Sequence, residues 1–290
     1  MKTESFFGHV LRGLLALLGV VLPCAIFPAA ADAFSFSTGD PDGLAATASR
    51  PDQPGRFEIE SADDFALGSA TRITHATFTG LLTDGATATD ISQLRIEFYR
   101  VFPKDSVNPP SGSVPTRTNS PSDVAFDTRD SANAGELAFS TSLLNASFTA
   151  LNSVLPGGIH PLPNQTTGGS GPVTGNEFLF DVTFSTPLDL PADHYFFIPQ
   201  VAINGPGMFL WLSAAKPIIA PATPLIPDLQ SWTRDANLDP DWLRIGTDII
   251  GGATPHPLNA AFSISGTTVP EPGMVSLLGI GAVTLLRRRR

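Results

Sequence analysis

The sequence is short of cysteine and of charge, and it lacks a long uninterrupted apolar run. Cys24 is the only cysteine among 290 residues, so no intramolecular disulfide can form. Charged residues make up 15% of the chain, which is low for a soluble protein. Proline (27), glycine (26) and phenylalanine (20) are plentiful, a composition typical of short strands joined by many turns.

Acidic residues outnumber basic ones in the central part of the chain. Residues 34–268 hold 24 of the 27 acidic residues and 11 of the 17 basic residues, which gives a formal charge of −13. A nucleic-acid partner is therefore excluded, because binding to phosphates requires basic patches. The same charge is compatible with solubility and with divalent cations.

The N-terminal segment has the pattern of a secretory signal peptide over residues 1–33. An apolar core from Leu14 to Phe27 is followed by Ala31 and Ala33, an A-x-A site with predicted cleavage before Phe34. Cys24 leaves with this segment. Lipid attachment at Cys24 is the less favoured alternative, because a proline rather than a small residue precedes it.

The C-terminal segment, residues 269–290, has three parts in a fixed order. An extended Val269-Pro270-Glu271-Pro272 linker precedes an apolar helix predicted at about residues 273–286, and Arg287, Arg288, Arg289 and Arg290 end the chain. Its thirteen-residue apolar run, Met274 to Leu286, rises about 20 Å as a helix, which is short for a bilayer core of about 30 Å. The positive-inside rule leaves the arginines in the cytoplasm and residues 34–268 across the membrane.

These three parts together resemble a PEP-CTERM sorting tail, which is also catalogued as an ice-binding protein C-terminal domain. The resemblance covers about twenty residues. It implies export by Gram-negative bacteria that make extracellular polysaccharide, transient residence in the inner membrane, and tail removal by an exosortase-type processing enzyme. A permanent tail anchor that is never cut is the alternative.

The fold class follows from alternating apolar residues. In 93–102, Leu94, Ile96 and Phe98 face one side of a predicted strand, and Phe178, Phe180, Val182 and Phe184 alternate in the same way. Nine or ten such strands occur without alternating helices, although a short helix around 143–151 is an alternative for that segment. The prediction is an all-β, two-layer antiparallel β-sandwich of jelly-roll kind for residues 34–268.

Two long loops, 104–128 and 156–175, interrupt the strand pattern. Loops of this length are either functional or mobile. The pair Asp63-Asp64 is expected in a turn that leads into a strand.

One stretch carries a candidate metal site. Asp235, Asn237, Asp239 and Asp241 present oxygen side chains at alternate positions, as in the first half of a calcium loop. Pro240 stands where that loop needs glycine, so a surface loop in which each carboxylate caps a turn is the favoured alternative. Calcium is accordingly the only cofactor that the sequence suggests.

Five aromatic side chains could stack on sugar rings: Trp211, Trp232, Trp242, Tyr99 and Tyr195. The favoured alternative is core packing for Trp211 and packing against the end of the sandwich for Trp232 and Trp242. Enzyme activity is not expected. The histidines are widely spaced, and no Gly-x-Ser-x-Gly elbow occurs.

The sequence therefore predicts a non-enzymatic, exported cell-surface or extracellular-matrix protein with a structural or adhesive ectodomain. Extracellular polysaccharide is a possible partner. The alternatives are a calcium-dependent carbohydrate-binding module and a hydrolase acting on polysaccharide.

Overall fold

The structure is a computed structural model that describes residues 31–109, 111–159, 166–251 and 256–270. Fifteen strands lie in this part of the chain, with short helical turns at Ala88–Asp90, Pro156–Gly158 and Ile245–Ile250. The strands are β1 (Ala33–Ser37), β2 (Pro41–Ala48), β3 (Ile59–Leu67), β4 (Thr71–Leu82), β5 (Ile91–Arg100), β6 (Asp127–Asp130), β7 (Ala138–Ala150), β8 (Asn152–Val154), β9 (Val173–Leu190), β10 (Asp193–Ile203), β11 (Phe209–Ala214), β12 (Trp232–Asp235), β13 (Leu243–Arg244), β14 (Asn259–Ala260) and β15 (Phe262–Thr268).

The strands form two sheets. The large sheet has the order β1-β15-β4-β11-β2-β8, and β9 joins it beside β4, β7 beside β9, and β14 beside β11. The small sheet has the order β13-β12-β3-β10-β5-β6. Every pair in the described residues is antiparallel except β2 with β8. The chain crosses repeatedly from one sheet to the other, as expected for a sandwich of this kind, and the predicted all-β sandwich is confirmed.

Phenylalanine rings from the facing sides of the two sheets fill the space between them. Phe197 of β10 stacks on Phe262 of β15 with ring centroids 5.0 Å apart, and Phe98 of β5 meets Phe184 of β9 at 6.1 Å. Burial of each ring contributes about 1.5–3 kcal/mol relative to exposure. The alternation predicted for β5 and β9 is confirmed, since their inward residues are all buried: Leu94, Ile96, Phe98, Phe178, Phe180, Val182 and Phe184.

The outer face of the small sheet is covered rather than open to solvent. Tyr99, Phe196, Trp232 and Trp242 form a separate apolar cluster there. Residues 101–109 and 111–126, here called the covering loop, contact this face: the Trp242 indole Nε1 donates to the Ser122 carbonyl at 3.1 Å. The described part of the long loop predicted at 104–128 is thus packed on the sandwich.

β7 is a single long strand at the edge of the large sheet, and the helix considered for residues 143–151 is wrong. β7 pairs with β9 from Ala138↔Thr183 to Ala150↔Val173, with irregular register near Asn145. Serine, threonine and asparagine fill many of its positions, and these residues compete with helical hydrogen bonding and favour extended structure here.

The expectation that Asp63 and Asp64 lie in a turn is also wrong, because both are buried in the middle of β3. Asp63 accepts hydrogen bonds from the Ala260 backbone N–H at 2.8 Å and the Ser231 hydroxyl at 3.1 Å. Asp64 accepts from the Leu229 backbone N–H at 3.2 Å. These donors come from residues about 165 or more positions away, so a local sequence pattern could not reveal them.

Residues Ala30–Glu271 form one compact unit. Across the described ranges, we find no helix with the length and apolar character required to cross a bilayer. The predicted apolar core of the signal peptide, the sorting helix near 273–286 and the arginines Arg287–Arg290 lie outside the described residues.

Candidate functional site

The chain remains hydrogen-bonded to the sandwich as far as Val269, the first residue of the predicted sorting linker. β15 ends at Thr268, and the backbone N–H of Val269 donates to the carbonyl of Ala70 at 2.7 Å. Val269 and Pro270 are exposed, as predicted for an accessible linker. Glu271 and Pro272 lie outside the described residues. The motif therefore begins directly beside the folded domain, without a spacer between β15 and Val269.

The predicted signal cleavage site lies beside the same point. Ala33, the first residue of β1, pairs with Thr267 of β15. Asp32 extends this ladder, since its carbonyl accepts from the Thr268 backbone N–H at 2.8 Å. Ala31 and Ala33 are exposed, and Phe34 is half-buried against the core. The two predicted processing points thus meet at one end of the β1–β15 pair.

The four residues of the candidate calcium loop do not share one centre. Asp235 closes its own turn, because its Oδ1 accepts from the backbone N–H of Asn237 at 2.9 Å. Asp239 binds Arg234 Nη1 at 2.7 Å, and the buried Asp241 binds Arg117 Nη1 at 3.2 Å. Within the described ranges, no group of three or more His, Cys, Asp or Glu side chains is placed to hold a metal ion.

Arg117 is a buried cation that sequence reasoning missed. Its Nη2 binds Asp123 at 2.9 Å while Nη1 binds Asp241, and its guanidinium lies 4.6 Å from the centroid of the Phe102 ring. All three charged side chains are almost wholly buried. Arg117 therefore attaches the covering loop to the segment after β12, and Asp241 serves as its acceptor.

A cleft of about 330 Å³ lies on the outer face of the small sheet, beside the covering loop. Glu58, Glu60 and Asp123 line it together with Tyr99 and Arg234. Glu60 accepts from the Tyr99 hydroxyl at 2.7 Å and also pairs with Arg234 Nε. Each of these three carboxylates has its own cation, since Arg234 pairs with Glu60, Arg95 with Glu58 and Arg117 with Asp123.

Glu97 lies buried beside this cluster and holds a proton at neutral pH. Burial, reinforced by the nearby carboxylates of Glu60 and Glu58, raises the pKa of Glu97 to about 8. Burial also raises the pKa of Glu58, although Gln200 and Arg95 oppose this. A carboxyl group with a raised pKa beside a cleft is a recognised mark of functional sites, and structural ion networks also produce it.

The five aromatic candidates are buried. Trp211, Trp232, Trp242, Tyr99 and Tyr195 are each at most 4% exposed. The Trp211 indole N–H donates to Ala261 inside the core. Burial, the favoured alternative for the three tryptophans, is confirmed, and the two tyrosines are buried as well, so none of these rings forms an open platform for a sugar.

Two described histidines pair with aspartates in separate places. His194 Nε2 lies 2.6 Å from Asp64 Oδ2, and His75 Nε2 lies 2.9 Å from Asp181 Oδ1. His75 and Asp181 face solvent on the large sheet, whereas Asp64 is buried in the small sheet. Spacing in the sequence gave no signal for either pair, because each joins residues more than 100 positions apart.

Comparison with known proteins finds one match, confined to the C-terminal tail. The family profile described as the PEP-CTERM protein-sorting motif matches residues 268–290. No curated protein and no solved structure is detectably similar to the chain. The match begins at Thr268, the last residue of β15, so the folded domain and the sorting tail adjoin. Residues 268–290 are therefore a PEP-CTERM protein-sorting motif, and such a tail indicates an exported protein that is sorted by an exosortase.

Proposed function

We propose that this protein acts at the cell surface or in the extracellular matrix as a non-enzymatic structural or adhesive domain, after its signal peptide and sorting tail have been removed. The observation that carries the proposal is the position of the two processing points. Ala33 pairs with Thr267 at one end of the β1–β15 ladder, and the matched motif starts at Thr268.

Removal of both tails leaves the sandwich nearly intact. Cleavage before Phe34 costs the bonds that Asp32 makes to Thr268 and the first pair of the ladder. The pairs from Phe34↔Gly266 to Ser37↔Ser263 remain, and so does the core packing of Phe36. The ladder loses one of its five pairs, together with the Asp32–Thr268 bonds, at a solvent-exposed end, a loss comparable to fraying. A released domain can therefore persist outside the cell without disulfides.

Adhesion is supported by the polar outer face of the large sheet. Small hydroxyl-bearing residues align across strands there: Ser37 pairs with Ser263, and Ser263 with Thr77. The Thr77 and Ser263 hydroxyls lie 2.7 Å apart. Beside these hydroxyls lies the exposed His75–Asp181 pair, so the face offers several hydrogen-bonding groups to a hydrated polymer.

The test is replacement of Pro270, Glu271 and Pro272 together by alanine in the native host. The expected result is retention of the protein in the inner membrane with its tail attached, because the processing enzyme no longer recognises the linker. A matched control is replacement of Thr267 and Thr268 by serine, which changes the adjoining strand and leaves the Pro-Glu-Pro motif unaltered. Unchanged release of the triple-alanine variant would refute the sorting part of the proposal.

The non-enzymatic part is tested separately with purified residues 34–269. Turnover of any polysaccharide or ester in a glycan and ester screen would contradict it. If turnover occurs and is lost in Glu60→Gln, the acidic cleft would be the active site and the hydrolase alternative would replace the proposal.

A further inference from the structure

A second cleft lies at the edge of the small sheet and has a volume of about 640 Å³. It runs between the covering loop at Thr116, Thr118 and Asn119, the segment around Gln230 before β12, and Arg244 of β13. Trp232 also contributes to its wall. This size is within the range of pockets that hold small ligands, about 300–1,000 Å³.

The charges that border this cleft are already compensated. Lys216 Nζ binds Asp228 Oδ1 at 2.7 Å, the Leu229 carbonyl at 2.6 Å and Asn259 Oδ1 at 3.1 Å. Arg244 binds Asp248 through Nε and Nη2. A charged ligand would have to compete with these pairs, so the cleft favours an uncharged one.

Hydrogen-bond donors remain in the wall after these pairs are made. The buried Trp232 Nε1–H has no acceptor among the described residues. Gln230 accepts from the Thr247 hydroxyl at 2.8 Å through Oε1, and its amide N–H groups donate to none of the described residues. Asn119 is exposed at the rim and adopts a positive φ of 63°, a conformation that asparagine tolerates.

We infer that this Trp232 cleft binds a short uncharged oligosaccharide. A sugar chain offers ring and hydroxyl oxygens to the wall donors Trp232, Gln230 and Asn119, and its hydroxyl groups can donate to Thr116 and Thr118. The inference deepens the proposed function, on which it rests, by naming the class of ligand that gives the domain its adhesion. It requires neither calcium nor an exposed aromatic platform.

Binding is measured by tryptophan fluorescence and calorimetry on purified residues 34–269, with neutral tetrasaccharides of glucose, mannose and N-acetylglucosamine and with tetragalacturonate. Asn119→Gly removes the amide without backbone strain, because glycine readily adopts a positive φ. Gln230→Glu keeps the side-chain size and replaces the amide donor with a carboxylate. Asp84→Gly, at the positive-φ turn between β4 and β5, is the matched control.

The expected result is saturable binding of at least one neutral tetrasaccharide, weakened about three- to tenfold by Asn119→Gly and by Gln230→Glu and unchanged by Asp84→Gly. Absence of binding to all neutral tetrasaccharides, binding of tetragalacturonate alone, or equal binding by all variants would overturn the inference. Release of Asn119→Gly from the inner membrane is assayed in parallel. Normal release with lost binding separates a failure of this cleft from a failure of sorting.

Discussion

The protonated state of Glu97 predicts how the stability of the sandwich depends on pH. Its pKa rises from 4.5 to about 8 in the folded protein, because the side chain is buried beside the carboxylates of Glu60 and Glu58. Between these two values the folded state holds a proton that the unfolded state has released. The free energy of unfolding therefore falls as pH rises from about 4.5 to about 8, and the stabilisation is complete only below the unfolded pKa.

The size of this effect follows from the shift. One pKa unit corresponds to about 1.4 kcal/mol, so the pH-dependent contribution of Glu97 is on the order of 3–5 kcal/mol across the window. Glu97→Gln keeps a neutral polar side chain at every pH and should remove this contribution. We expect the variant to be close to wild type at pH 5 and more stable than wild type at pH 8.

The assay is urea unfolding of residues 34–269 at half-unit steps from pH 4.5 to pH 8.5, followed by tryptophan fluorescence. The readout is the difference between the two profiles, because Asp63, Asp64 and Glu58 also have raised pKa values and contribute in both proteins. Asp52→Asn, at an exposed carboxylate, is the control. Parallel wild-type and Glu97→Gln profiles would refute the assignment of a neutral Glu97.

Two further predictions concern the covering loop and calcium. Arg117→Leu leaves the buried Asp123 and Asp241 without their cation, so we expect a loss of about 3–5 kcal/mol in unfolding free energy and faster proteolysis within 101–126. The control is Arg72→Leu, whose pair with Asp189 is exposed and whose loss should change the unfolding free energy far less. Comparable losses in the two variants would contradict the anchoring role of Arg117. Calorimetric titration of calcium into residues 34–269 should give no saturable heat, because Asp235, Asp239 and Asp241 have separate partners; saturable heat that disappears in Asp235→Ala/Asp239→Ala would restore the calcium-dependent alternative.

The strands that sequence predicts best are those with local alternation and a buried inner face. β5 and β9 alternate strictly, because one side of each faces the core, and the pattern of Leu94, Ile96 and Phe98 could be read without any partner strand. The sorting tail was equally readable because its three parts are contiguous. Both the fold class and the sorting tail could therefore be predicted from contiguous stretches of sequence.

The sequence could not reveal contacts that depend on distant residues. Arg117 and Asp241 are 124 positions apart in the sequence. The residues around the candidate calcium loop therefore could not indicate that its aspartates pair with guanidinium groups. Glu97 and Tyr99 lie on the face of β5 opposite Leu94, Ile96 and Phe98, yet both are buried. The raised pKa of Glu97 is a consequence of that burial and is invisible in the local pattern.

The most direct test of export and tail processing is the intact mass of the mature protein, measured in fractions of the native host. An affinity tag inserted after Ala134, in the exposed turn before β7, avoids the covering loop and both processing points. We expect a species that begins at Phe34, ends near Pro272 and is recovered outside the inner membrane. A species that still carries Arg287–Arg290 and remains in the inner membrane would contradict exosortase processing and indicate a permanently anchored domain.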